Sequence, residues 1–138
     1  MRRVLVTGAN GQLGRALMSL LPQAGFVPTG VDLPEADIWD WSCYDVVINA
    51  AAWTDVDGAE TPEGRRLSWR ANTVGPVNLA RAAVRHGLIV VHISSEYTFD
   101  GTTVVHTEAE TPSPLGVYGQ SKAAGDAAVS VCPRHYLV

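Results

Sequence analysis

The sequence predicts an α/β protein, a doubly wound parallel sheet with helices on both faces, and three observations carry the prediction. Short apolar runs of strand length recur along the chain, at Val4–Val6, Val46–Ile48, Leu88–Val91 and in the closing "HYLV". Between them lie longer stretches with helical spacing of apolar residues, and this alternation is the signature of a parallel sheet built from crossover units. The first run also leads into "TGANGQLG", where three glycines are spaced G-x-x-G-x-x-G ahead of a helix. Such a turn lets backbone approach a pyrophosphate closely and aims the N–H groups of a helix start at it. The same spacing also serves as a plain packing turn, so the rest of the chain has to decide between the two.

In order, Val4–Val6 forms the first strand, and Leu13, Leu17 and Leu21 mark a helix that stops at Pro22. "GFVPTGVD" gives a second strand ending at Asp32, although Pro28 suits only a strand edge. "LPEADIWDWSCY" holds a short extended piece near Ile38, and "DVVINAAA" is a buried strand running into small residues. One helix of roughly five to seven turns is expected from Pro62 onward. It is capped by Thr61, kinked at Gly75 and Pro76, and ended by Gly87. "LIVVHISS" is the next strand, a polar loop runs to "TPSPLG", "VYGQSKAAGDAAVSV" is a helix, and "HYLV" starts another strand. No repeat or low-complexity linker divides the 138 residues, so they read as one domain, 1–138. Because "PRHYLV" ends inside a strand with no turn or cap, a truncated chain is the expectation.

Composition narrows the function. Hydrophobic residues make up 46% and charged ones 17%, the balance of a globular protein. A net charge of −4 supplies no basic surface, which argues against nucleic acid and acidic membranes as partners. Cys43 and Cys132 lack C-x-x-C spacing, the start lacks a secretory signal, and no apolar run is long enough to span a bilayer. A cytoplasmic location is expected.

In a parallel sheet of this kind, the loops after each strand gather at one edge. Here they are Gly8 to Gly14, Asn49 to Trp53 and Ser94 to Gly101. Ala50, Ala51 and Ala52 have little bulk, which suits either a wall against a cofactor or plain close packing. In "YGQSK", Tyr118 and Lys122 stand at i and i+4 and share one helix face. An ammonium beside a phenol favours the phenolate, and such a pair can move a proton to or from a carbonyl. Asp32 lies 18 residues beyond Gly14, where a carboxylate accepts from an adenosine ribose 2′-hydroxyl. No lysine or arginine occurs between Arg15 and Arg65. NAD(H) is therefore the expected cofactor, with some use of NADP(H) through Arg15.

The runs "VTGANGQLG", "VVINAAAWTDVDGAE", "ANTVGPVNLARAA", "VHISSEYTFDG" and "SPLGVYGQSKAAGD" follow one another as in the extended short-chain dehydrogenase/reductases. Within them the chain most resembles the dTDP-4-dehydrorhamnose reductases, whose members are about twice as long. The resemblance implies a Rossmann-type NAD(P)-binding domain whose substrate domain is missing, and NAD(P)H-dependent reduction of the 4-keto group of a dTDP-linked 6-deoxysugar. Carried over by position, Tyr118 is the proton donor, Lys122 binds the nicotinamide ribose, and Ser95 polarises the carbonyl. The implied cofactor set adds Gly8, Asn10, Gly11, Gln12, Leu13, Gly14, Asp32, Asp37, Ile38, Ala50, Ala51, Ala52 and Ser94. The resemblance also implies that Glu96 and Tyr97 face the sugar. Ser95 and Glu96 replace the family's usual threonine and aspartate, so the hydroxyl survives while the carboxylate is longer. The crossover between Asp37-Ile38 and "DVVINAAA" is shorter than usual, which opens the adenine side. Arg15 replaces an acidic residue through which some members bridge a dimer by metal, so no metal site is expected, and a homodimer stays open.

Quieter candidates read as structural. Asp55 and Asp57 suit capping, and no histidine lies near them at ligand spacing. His86, His92, His106 and His135 are scattered, with His92 inside a strand as a satisfied core histidine. Trp39, Trp41, Trp53 and Trp69 read as core or interface mass, with Trp53 able to touch the cofactor. Two alternatives stand beside the reductase: an epimerase or dehydratase of the same superfamily, and a regulatory subunit that binds nucleotide without catalysis.

Overall fold

The computed structural model describes residues 1–32 and 40–138. The expectations for Asp37, Ile38 and Trp39 fall outside the described residues. Five strands, β1 (Arg3–Thr7), β2 (Val27–Val31), β3 (Val46–Asn49), β4 (Ile89–His92) and β5 (His135–Leu137), form one sheet in the order β2-β1-β3-β4-β5. Every pairing is parallel, with Leu5 beside Thr29 on one side and Val47 on the other. After β2 the chain returns to the far side of β1, so the topological switch point lies between β1 and β3.

The pleat explains the layers. Val4 and Val6 point to one face, where Val46 joins them and Leu17, Met18 and Leu21 of helix α1 (Gln12–Leu20) and its C-cap close over them. Leu5, Val47 and Val90 point to the other face, against Trp41, Leu79, Ala83 and Val129. Leu79 and Ala83 belong to helix α3 (Gly75–His86) and Val129 to helix α4 (Val117–Val129). Burying side chains of this size stabilises by about 1.5–3 kcal/mol each, and both sheet faces are covered, as a parallel sheet requires. Pro28 sits in β2 because β2 pairs only with β1 among the described strands, so its missing N–H interrupts no second ladder.

Two expectations need correction. Leu13 does not join the apolar stripe of α1; it is 42% exposed at the helix start, while Leu17 and Leu21 do the packing. The helix expected to continue from Pro62 to His86 with a kink at Gly75–Pro76 is instead broken one turn earlier. Helix α2 (Pro62–Trp69) passes into a π-helical turn, Arg70–Val74, before α3 begins. Pro76 has no N–H for the Asn72 carbonyl, and the ladder widens, with Gly75 N–H reaching back to the Arg70 carbonyl. Thr61 caps α2 by accepting from Gly64 N–H at 3.0 Å, and Gly87 ends α3 in the left-handed conformation at φ 68°.

Candidate active site

The glycine turn is shaped by backbone contact before any ligand is considered. Gly8 has φ +68°, and a Cβ there would lie 2.7 Å from the Ala51 backbone. At Gly14 a Cβ would lie 2.0 Å from the Gly8 carbonyl oxygen. The loop after β1 is thus pressed between α1 and the loop after β3, and Ala50 and Ala51 are its wall, while Ala52 is exposed. Gly11 N–H donates to the Gly8 carbonyl at 3.0 Å, and α1 starts at Gly11 with no side chain capping it. Asn10, Gly11, Gln12 and Leu13 are exposed. An uncapped helix start beside a bare glycine loop at the switch point fits a dinucleotide pyrophosphate. Asp32 holds this loop in shape. Its carboxylate accepts from Asn10 N–H at 3.0 Å and from the Asn10 side-chain amide, while Arg15 donates to the Asn10 carbonyl at 2.8 Å.

Helix α4 brings the second half of the site. Tyr118 and Lys122 lie one turn apart and are 8% and 2% exposed. Lys122 Nζ donates to the Ile93 carbonyl at the end of β4. Burial pushes the Lys122 ammonium below the ordinary lysine range, and the Asp126 carboxylate pulls it back up. Tyr97 packs edge-on to the Tyr118 ring, with centroids 5.5 Å apart and planes at 85°. Ser95 caps the turn Glu96–Thr98 by accepting from Tyr97 N–H at 3.2 Å, so its own hydroxyl hydrogen can serve a further acceptor. Ser94 donates to Asp126. Ser95 and Glu96 border an open cleft of ≈ 720 Å³, and Glu96, Tyr97 and Tyr118 border a second of ≈ 540 Å³.

The structure therefore brings Tyr97 to Tyr118, Ile93 to Lys122 and Ser94 to Asp126, and the glycine loop to Ala50–Ala51, while Ser95 borders the first cleft and Tyr118 the second. Asp55 acts as expected, accepting from Gly58 N–H at 2.9 Å, whereas Asp57 makes no capping bond. Trp41 is core, Trp53 is half-buried and Trp69 is 37% exposed. Residues that sequence reasoning passed over turn out to position the site. Asn72, 1% exposed, accepts from Trp53 N–H at 2.9 Å and donates to the Trp53 carbonyl at 3.1 Å and to Ser121 Oγ at 3.1 Å. Ser121 Oγ meets Ser68 Oγ at 2.8 Å and donates to the Tyr118 carbonyl at 2.7 Å. The β3 loop is thereby tied to the helix that carries Tyr118 and Lys122. Gly119 and Gly125 let α4 approach, since a Cβ at either would lie 2.1 Å from the carbonyl oxygen of Tyr97 or Asn72. Small residues at one-turn spacing before and after Lys122 were the available signal.

Against known proteins, the model of the RmlD substrate binding domain family matches residues 1–138. The chain belongs to that family. It is 38% identical to the dTDP-4-dehydrorhamnose reductase of Mycobacterium tuberculosis strain H37Rv over 139 residues, covering 92% of this chain and 45% of that protein. It is 33% identical over 144 residues to methionine adenosyltransferase 2 subunit beta of Rattus norvegicus, covering 93% of this chain and 42% of that one. The crystal structure of dTDP-4-dehydrorhamnose reductase from Bacillus anthracis, in complex with NADP, matches with a TM-score of 0.85 at 31% identity. That match covers 99% of this chain and 52% of the other. This member of the RmlD family thus spans about half the length of the relatives it matches, and it has their α/β Rossmann-like fold. No helix among its described residues is long and apolar enough to cross a membrane.

Proposed function

We propose that these 138 residues are the cofactor-binding half of a cytoplasmic NAD(P)H-dependent reductase acting on the 4-keto group of a dTDP-linked 6-deoxysugar. One observation carries the reading: Tyr118 and Lys122, a turn apart on α4, sit beside the Ser94–Tyr97 loop at the sheet edge that also holds the glycine turn. The similarity to dTDP-4-dehydrorhamnose reductases supports the substrate class. The free state of both cysteines suits a reducing compartment.

A bound nicotinamide supplies the hydride. The N–H groups at the start of α1 would hold the pyrophosphate, beside Ala50 and Ala51, which add no bulk. Lys122, fixed to the Ile93 carbonyl, would hold the nicotinamide ribose. Tyr118 delivers a proton to the sugar oxygen as charge develops there, and the Ser95 hydroxyl donates to the same oxygen. Tyr97 packs on Tyr118 and, with Glu96, faces the sugar from the cleft.

A second reading, a regulatory subunit that binds nucleotide without catalysis, draws on the likeness to methionine adenosyltransferase 2 subunit beta. Full-length protein mixed with NADH or NADPH and dTDP-4-dehydrorhamnose separates the readings. The reductase releases one oxidised cofactor per sugar reduced. An epimerase or dehydratase converts the sugar with no net oxidation, and a regulatory subunit converts nothing; either result would overturn the proposal.

A further inference from the structure

A line of buried polar side chains crosses the ends of three strands and stops at α4, and the proposed chemistry does not use it. Thr7 on β1 meets Asn49 on β3, Oγ1 to Oδ1, at 2.5 Å. The Asn49 amide nitrogen lies 2.9 Å from Nδ1 of His92 on β4. All three residues are at most 2% exposed. With the Asn49 oxygen occupied by the threonine hydroxyl, its amide nitrogen donates, so His92 Nδ1 accepts and the ring proton sits on Nε2. His92 Nε2 lies 3.3 Å from Asp126 Oδ1, and neither atom makes a hydrogen bond, so the histidine expected to be satisfied in the core leaves Nε2 facing this carboxylate. The other carboxylate oxygen of Asp126 accepts from Ser94. Asp126 is 8% exposed and stands one helical turn beyond Lys122.

Resting on the reading of Lys122 as a catalytic residue, we propose that Asp126 is its positioning residue. Steered by His92 and Ser94, the Asp126 carboxylate is the counter-charge that keeps Lys122 an ammonium in a site that otherwise excludes charge. A buried polar chain ending on a carboxylate is costly unless a positive charge answers it. The only lysine of the chain stands one turn away on the same helix and is almost fully buried. Burial works against its charge, and Asp126 is the group that opposes burial.

Glu108 and Glu110 line the same cleft as Asp126, with Glu110 held against His106 at 2.8 Å. On α4 the other titratable neighbour is Tyr118, and on β4 it is His92. Glu60 accepts from Val117 N–H at 2.8 Å, at the start of α4. Glu96 and Tyr97 in the turn after β4 are exposed, as are Glu63, Arg65 and Arg66 on α2, Arg70 in the π turn, and Arg81, Arg85 and His86 on α3. On β5, His135 Nδ1 is turned to the Cys132 carbonyl at 2.7 Å, and Tyr136 is exposed.

Because the chain has a single lysine, ¹³Cε-lysine labelling of the 138-residue protein gives one NMR titration curve, read without cofactor or turnover. In Asp126→Asn the Lys122 midpoint should fall by about one pH unit or more. An unchanged midpoint in the folded variant would overturn the proposal. Two readings in the wild type need no variant. The Asp126 carboxyl carbon should show a step in its shift where Lys122 titrates, and the His92 ¹⁵N shifts should report a proton on Nε2. Absence of the step, or a proton on Nδ1 alone, would equally overturn it. Lysine titration is independent of turnover, so a failed assay for sugar reduction would sink the catalytic reading and leave this coupling standing.

Discussion

At the scale of single residues, the ribose contact proposed for Asp32 competes with bonds its carboxylate already makes. Its position after β2 suits an adenosine ribose, yet both of its oxygens are engaged by Asn10, whose carbonyl in turn holds Arg15. A ribose hydroxyl would have to share the carboxylate with the loop, and the nearby cation, Arg15, is itself held on the Asn10 carbonyl. NADH with some NADPH activity follows as the expected preference. Asp32→Ala removes a charge-assisted hydrogen bond worth about 1.5–3 kcal/mol, so kcat/KM for NADH should fall roughly ten- to a hundredfold relative to NADPH. Equal losses for both cofactors would show that Asp32 only anchors the loop. Spacing from Gly14 made Asp32 visible in the sequence. Its bond to Asn10 was not visible, because it depends on how β1 and β2 pair.

At the scale of elements, the irregular helix between β3 and β4 matters more than its length. Thr61, Pro62 and Gly87 announced its ends, since caps are local chemistry. The π turn was not legible. It reflects a tertiary fit in which the Asn72 carbonyl, freed by Pro76, lies against Gly125 of α4. The same turn points the Asn72 amide at both backbone groups of Trp53 and at Ser121. Asn72→Ala would orphan buried partners at a cost of about 1–3 kcal/mol for each group left unsatisfied. We expect a melting temperature lower by several degrees and, in the full-length protein, a loss of kcat, because the β3 loop and α4 are no longer joined. A variant with wild-type melting and turnover would show that the network is dispensable.

At the scale of the whole molecule, alternating strands and helices made the architecture readable. Nearly continuous apolar strands fit only a sheet covered on both faces, and the polar ends of β1, β3 and β4 fall at one edge. The placing of Tyr118 and Lys122 one turn apart on a helix, the pair proposed as catalytic, was legible because i, i+4 spacing is a local property. The framework behind it, from Thr7 through His92 to Asp126, joins residues more than a hundred positions apart, so it required the fold. The central claim is that Tyr118 protonates the substrate oxygen, and Tyr118→Phe in the full-length protein tests it most directly. Rates of NAD(P)H oxidation by dTDP-4-dehydrorhamnose should fall by roughly two to four orders of magnitude, while the dissociation constant for the cofactor changes little. Turnover at the wild-type rate would contradict the account.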